Sequence, residues 1–225
     1  MKKVLFGICA LVLFTGCFAT KSSNELKIKI DGNDAISLDY AIVNNSSIIV
    51  TAKNKSDKAL DYVTLNLAIY DKAGKLIGVE KQYLRNLVAN QENIIKIPLT
   101  DVGTNDDAKA AKVEIAVKTL NYENSAETAY TDKVEGTVEK TDNEGQLNLT
   151  ITNNSGVTVD DLNAAVVFYK DSKVVDLYSV AVQKIGATYN DTVYVPVQNN
   201  SKENVSFIEY DDVKVIINNA SVFNQ

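Results

Sequence analysis

Histidine and tryptophan are absent from this chain, and arginine occurs once, at Arg85. Without histidine there is no Ser-His-Asp triad and no Cys-His pair. A zinc site would have to be built from carboxylates alone, which zinc rarely accepts. No Gly-x-Ser-x-Gly, Ser-x-x-Lys or Walker-type glycine loop is present. The expectation is therefore no catalytic residue, no metal ligand and no cofactor. Glycoside hydrolysis by two carboxylates is the one remaining enzymatic alternative, because it depends on their separation in space. A chain lacking tryptophan is short of the aromatic platforms that sugar-cleaving clefts use. The net charge is -6. An acidic chain with one arginine is poorly equipped to grip phosphates, so no nucleic-acid partner is expected.

Cysteine is almost as scarce. Cys9 and Cys17 are the only two, and both lie near the N-terminus. No disulfide is expected to staple the remainder, and units of about 100 residues can hold together on a hydrophobic core alone. Lys2 and Lys3 precede an apolar run, Val4 to Phe14. That run is shorter than the ~20 residues a spanning helix needs, and it has the layout of a secretory signal. It ends in Phe14-Thr15-Gly16-Cys17. This ending resembles the lipobox of bacterial lipoproteins, with Phe14 where that pattern favours leucine. The resemblance implies cleavage before Cys17 and lipid attachment to it. It also explains a lone cysteine in an exported chain. Residues 1–16 are then the signal peptide, and removing their two lysines takes the net charge to -8. Residues 17–25, polar after Phe18, read as a flexible tether. Membrane contact is expected through the lipid on Cys17, since an acidic body is repelled by anionic surfaces.

Proline is equally rare: Pro98 and Pro196 are the only two. They sit in similar surroundings, Ile95-Lys96-Ile97-Pro98-Leu99 and Val193-Tyr194-Val195-Pro196-Val197, offset by 98. Thr51-Ala52-Lys53-Asn54-Lys55-Ser56 matches Thr150-Ile151-Thr152-Asn153-Asn154-Ser155 at an offset of 99. Val113 to Val117 matches Val213 to Ile217 at 100. Self-similarity at one long period indicates a duplicated folding unit. The expected units are 26–120 and 129–225, joined by a linker at 121–128.

Apolar residues alternate with polar ones in many short segments: Leu26-Ile28-Ile30, Leu38-Tyr40-Ile42, Val63-Leu65-Leu67-Ile69, Leu147-Leu149-Ile151 and Val213-Val215-Ile217. Period two is the signature of strands with one buried face. Asp31-Gly32-Asn33-Asp34, Asp71-Lys72-Ala73-Gly74, Asp142-Asn143-Glu144-Gly145 and Asn153-Asn154-Ser155-Gly156 supply turns. Helical patterning is confined to Asn105–Lys112, which fits one or two turns or an extended loop. The fold class predicted is all-β, two tandem antiparallel sandwiches.

Asn54-Lys55-Ser56, Leu67-Ala68-Ile69-Tyr70-Asp71, Gly74-Lys75-Leu76-Ile77-Gly78 and Asn86-Leu87 resemble the FxLYD-domain pattern of bacterial extracytoplasmic proteins and lipoproteins. Leu67 and Ile69 replace that pattern's Phe and Leu, while Tyr70 and Asp71 match it. The second unit keeps the tyrosine, Tyr169, in Val166-Val167-Phe168-Tyr169-Lys170, and lacks the hairpin glycine. The resemblance implies immunoglobulin-like sandwiches at the cell envelope and brings no catalytic residues. Tyr70 and Tyr169 are expected to cap the sandwich end, the hydroxyl bonded to a backbone group. A ligand contact is the alternative.

The acidic clusters Asp31–Asp34, Asn105-Asp106-Asp107 and Glu209-Tyr210-Asp211-Asp212 lack EF-hand spacing and read as solvated turns rather than calcium sites. The function expected is a non-catalytic cell-envelope lipoprotein, acting as a binding or spacer module for a protein or glycan partner. The alternative is an accessory subunit docked to an envelope transporter or wall-synthesis machine.

Overall fold

The computed structural model describes residues 35–44, 46–99, 109–122, 127–201 and 204–224. The residues expected to form the signal peptide (1–16), the tether with Cys17 (17–25), a strand at 26–30 and a turn at 31–34 lie outside these residues, as does most of the Asn105–Lys112 segment. The described residues form an all-β structure of antiparallel strands, with one 3-10 turn at Thr131–Lys133 and no α-helix.

Among the described residues fifteen strands occur in order. The first six are β1 (Ile36–Val43), β2 (Ser47–Asn54), β3 (Leu60–Tyr70), β4 (Leu76–Leu87), β5 (Glu92–Pro98) and β6 (Lys112–Tyr122). The short β7 (Glu127–Ala129) follows. Next come β8 (Val134–Lys140), β9 (Gln146–Asn153), β10 (Val159–Lys170), β11 (Lys173–Ile185) and β12 (Thr188–Tyr194). The chain ends with the hairpin β13 (Val197–Ser201) and β14 (Asn204–Phe207), then β15 (Asp212–Phe223). The first set makes two sheets, β1-β2-β5 and β4-β3-β6. The second set repeats that order as β8-β9-β12 and β11-β10-β15, with β7 added beyond β15.

Alternation explains the two cores. Val63, Leu65, Leu67 and Ile69 of β3 are fully buried and pack with Leu38, Ile48, Val50 and Ile97 of the facing sheet. In the second set Leu162, Ala164, Val166 and Phe168 of β10 pack with Leu147, Leu149, Ile151 and Val193. Each such Val, Leu or Ile side chain contributes about 1.5–3 kcal/mol when taken out of water. Phe168 adds an edge-to-face contact with Tyr210, ring centroids 5.2 Å apart.

The same side-chain device closes the end of each core. Asn54 Nδ2 donates to the carbonyls of Lys58, Leu87 and Val88, while its Oδ1 accepts from Ser56 N and Oγ. Asn153 Nδ2 donates to Val157, Ile185 and Gly186, and its Oδ1 accepts from Ser155 N and Oγ. One buried amide thus ties the β2–β3 turn to the end of β4, and its counterpart ties the β9–β10 turn to β11. The Asn-x-Ser repetition in sequence marks this device.

Strand register corrects the proline match. Pro98 lies opposite Ser47, and the residue opposite Gln146, the counterpart of Ser47, is Tyr194 rather than Pro196. Asn54 N donates to Gln91 O and Asn153 N to Ala187 O, an offset of 96 on the acceptor side. The turn Val88–Gln91, with Asn90 at φ 63°, is two residues longer than Gly186-Ala187. The two prolines are therefore two positions out of register. The offsets of 99 at β2 and β9, and 100 at β6 and β15, agree with the pairings.

Lys109 to Ala111 carry no regular structure, and β6 begins at Lys112. The stretch expected as a linker is strand at both described ends. Asn121 and Tyr122 finish β6, and Glu127 to Ala129 pair with Phe223 to Ser221 of β15.

Candidate binding surfaces

The runs Ile48-Ile49-Val50 and Ala164-Ala165-Val166-Val167-Phe168 do not alternate, and the structure shows why. Their second faces are buried against one another. Val43, Ile49 and Ile94 on the outside of the β1-β2-β5 sheet pack with Ala165, Val167 and Leu177 on the outside of the β11-β10-β15 sheet. The outer faces of the two sets are thus fused into a third apolar cluster.

Polar groups frame that cluster. Asn218 of β15 behaves like an extra strand residue on the edge of β5: its Oδ1 accepts from Ile94 N and its Nδ2 donates to Ile94 O, both 2.8 Å. Gln91 Nε2 donates to the carbonyls of Ile217 and Asn218, and Asn93 Nδ2 donates to Asn218 O. Lys96 bridges the junction to Asp176 at 2.6 Å, where the carboxylate is buried. At one end, Asn86, at φ 50°, donates to Glu127 Oε2 at 2.6 Å and to Asn219 Oδ1 at 3.1 Å. Ser221 Oγ gives Glu127 a second hydrogen bond, and Arg85 stands 3.8 Å from its other oxygen. The Glu127 carboxylate is buried but well supplied with donors, which is how a buried charge is held. Asp61, its neighbour, is held above the usual aspartate range, first by burial and then by the Glu127 charge, with Arg85 opposing.

Two clefts flank the junction. One, of about 410 Å³, is lined by residues of both sets, among them Arg85, Asn93, Lys96, Asp161, Asn163 and Asn218. Asn93 Oδ1 is buried there with no hydrogen-bond partner. The other, of about 630 Å³, lies between the Val88–Glu92 turn and β8, with Glu92, Asp132 and Glu135 at its walls.

The face that β11-β10-β15 buries has a counterpart in the first set that is open. Tyr62, Thr64, Asn66, Ala68 and Tyr70 run along the outside of β3. Val79, Lys81, Tyr83 and Arg85 run along β4, and Lys112, Glu114 and Ala116 along β6, with the exposed Lys118 in the bulge that follows. The Tyr62 and Tyr83 rings lie 5.3 Å apart with a 33° tilt, and Lys81 Nζ sits 5.1 Å from the Tyr83 ring centre. A hydrogen bond to Tyr83 raises the Lys81 pKa. Val79 is 65% exposed and Tyr83 48%. Four cations stand at this face, in a chain whose acids outnumber its bases 29 to 23; Lys112 pairs with Glu114 at 2.6 Å and Arg85 faces Glu127 at 3.8 Å. Sequence reasoning weighed a ligand contact for Tyr70 alone among these residues; the clustering appears once the strands are in register.

Tyr70 ends β3 and Tyr169 is the last residue but one of β10, each beside a turn, but their hydroxyls are not used as expected. Tyr70 Oη donates to the Glu114 carboxylate at 3.0 Å, with the Lys112 ammonium 5.6 Å from its ring centre. The hydroxyl has a carboxylate within reach at the strand crossing, and the bond raises the tyrosine pKa. The Tyr169 ring instead packs against the junction cluster beneath Lys214, and burial raises its pKa. Of the acidic clusters, Glu209–Asp212 is described. Glu209 pairs with Lys170, Asp211 accepts from Asp171 N at 2.8 Å, and Asp212 lies 3.4 Å from Lys214. No group of three metal-ligating side chains occurs among the described residues. Among the described residues no helix is long and apolar enough to cross a membrane. Cys17 lies outside the described residues. No protein-family model matches the chain, and no curated protein matches it either.

Proposed function

We propose that the chain is a non-catalytic bacterial cell-envelope lipoprotein, anchored through lipid on Cys17, whose two duplicated immunoglobulin-like domains form a rigid binding module. The observation that carries this reading is the inequality of two equivalent sheet faces. Where the second domain spends its outer face on the junction, the first presents tyrosines, lysines, Arg85 and exposed Val79 to solvent. A spacer would be served by a uniformly solvated surface, whereas a contiguous exposed aromatic and apolar strip fits a partner. The repeated strand order and the paired Asn54 and Asn153 brackets support duplication.

Labelled palmitate fed to cells expressing the full chain tests the anchor. Wild type should carry the label and fractionate with membranes, and Cys17→Ser should lose both. Label retained by Cys17→Ser would overturn the assignment. Capture of partners from native membranes, compared between wild type and Tyr83→Ala, tests the binding role. Identical captures would contradict it.

A further inference from the structure

Charge in this chain is segregated. Residues 129–225 hold 14 acids and 7 lysines, net -7, whereas residues 17–128 hold 15 acids and 14 bases, net -1. The excess negative charge therefore lies in the half farther along the chain from Cys17. In the half that follows Cys17, Lys81, Arg85, Lys112 and Lys118 gather at one sheet face; Lys112 pairs with Glu114 and Arg85 stands 3.8 Å from Glu127, which leaves Lys81 and Lys118 as the cations without an ion-pair partner among the described residues.

Geometry adds to charge. The face is a single three-stranded sheet with no strand set packed over it among the described residues, and tyrosines and valine stand between the cations. Tyrosine and lysine are the side chains that settle at a membrane–water boundary, the ring at headgroup depth and the ammonium reaching the phosphates. Ala35, where the described chain begins, accepts a hydrogen bond from Lys55 N beside Asn54, which itself binds the end of β4. The chain thus enters at the end of the sandwich that carries Arg85 and Tyr62. Ala35 lies eighteen residues after Cys17, a reach of at most about 60 Å. That is long enough to let any face meet the bilayer, so the face is selected by its chemistry.

We propose that the outer face of the β4-β3-β6 sheet lies against the anionic phospholipid headgroups of the membrane that holds Cys17. The proposal rests on the lipoprotein reading and deepens it by naming the partner of the open face as the headgroup surface itself: the lipid keeps the protein on the membrane, and the basic, tyrosine-bearing face sets its orientation. Acidic loops such as Glu209–Asp212 do not defeat this contact. Screening confines each charge to about 8 Å at physiological salt, so a surface senses the face it touches rather than the net charge. The orientation points the acidic second half away from the bilayer.

The test is a lysine acetylation footprint of the full lipidated chain on two kinds of vesicle, phosphatidylcholine alone and phosphatidylcholine with phosphatidylglycerol. Lys81, Lys112 and Lys118 should react several-fold more slowly on the anionic vesicles than on the neutral ones, and high salt should abolish the difference. Lys140, Lys173 and Lys184, exposed on the second half, should react alike on both. Lys81→Glu with Lys118→Glu should remove the difference, and Lys173→Glu with Lys184→Glu, the same change in net charge, should preserve it. Equal rates on the two vesicles overturn the proposal. So does protection that appears only when an acidic polysaccharide is added, which would assign the face to a glycan. Flotation with the neutral vesicles reports the anchor separately: a chain that fails to float there refutes the lipid on Cys17, whatever the footprint on anionic vesicles shows.

Discussion

Leu177 and Val79 occupy the same place in the two strand sets. Each is the residue on the fourth strand opposite the outward residue of the third, Val167 in one case and Ala68 in the other. Leu177 is 3% exposed and Val79 65%. The same contrast runs along the neighbouring row, where Asn66 and Ala68 in the first set correspond to Ala165 and Val167 in the second. On the opposing sheets, Ile49 and Ile94 in the first set correspond to Asn148 and Asn190 in the second. Apolar residues stand where the two sets meet, and polar residues stand at the equivalent outer ends.

The largest effect should come from putting a charge on each side of that contrast. Leu177→Asp places an unpaired carboxylate in the junction and should cost at least about 4 kcal/mol, while Val79→Asp should stay near 0.5 kcal/mol. Urea unfolding of the two variants checks this, and comparable losses would mean that the two faces are equally exposed in solution.

The brackets should behave as equals. Asn54→Ala and Asn153→Ala each leave three carbonyls short of a donor, and each should cost about 2–3 kcal/mol. A large loss at one position and a negligible one at the other would break the equivalence of the two sets.

The junction's polar frame should matter somewhat less. Asn218→Ala strips the Ile94 N–H and carbonyl of their partners and should lower stability by about 1–3 kcal/mol. Calorimetry should then resolve a broadened or split transition where the wild type shows one. Lys118→Ala, at the uncovered counterpart of Asn218, should change little.

The smallest expected effect is at Asp61, whose pKa the fold raises. A carboxyl with a raised folded pKa binds its proton more tightly when folded, so its effect on stability is unfavourable once it ionises. The deficit is absent below the ordinary value of 3.8 and is complete above the higher folded value. Asp61→Asn should therefore be slightly more stable than wild type at neutral pH, with the advantage fading as pH falls through that window. Thermal melts at pH 3 to 7 would show it, and an advantage that grows on acidification would contradict the sign.

Much of this was legible in the sequence. Alternation gave the inward residues of β3 and β9, and the Asn-x-Ser pairs located the two turn brackets. Register at β5 and β12 was not legible, because a proline in an apolar strand marks a residue type and not its partner, and the longer turn Val88–Gln91 shifted one copy by two. The junction left a trace that alternation alone does not interpret. Ala164 to Phe168 is apolar at every position, as a strand buried on both faces must be, whereas Leu65-Asn66-Leu67-Ala68-Ile69 in the first set has a polar or small residue at every second place. The basic face left no trace along the chain: Lys81, Arg85, Lys112 and Lys118 come from two strands that meet only through β3.

Amide hydrogen exchange at Ile94 tests the docking of the two sets most directly. Its N–H points away from β2 and donates to Asn218 Oδ1 across the junction. The N–H of Asn190, its counterpart on β12, occupies the outer edge. Ile94 should exchange with the slow residues of the core and accelerate in Asn218→Ala, while Asn190 exchanges quickly in both proteins. An Ile94 amide as fast as Asn190 in the wild type would mean that the two strand sets are not joined.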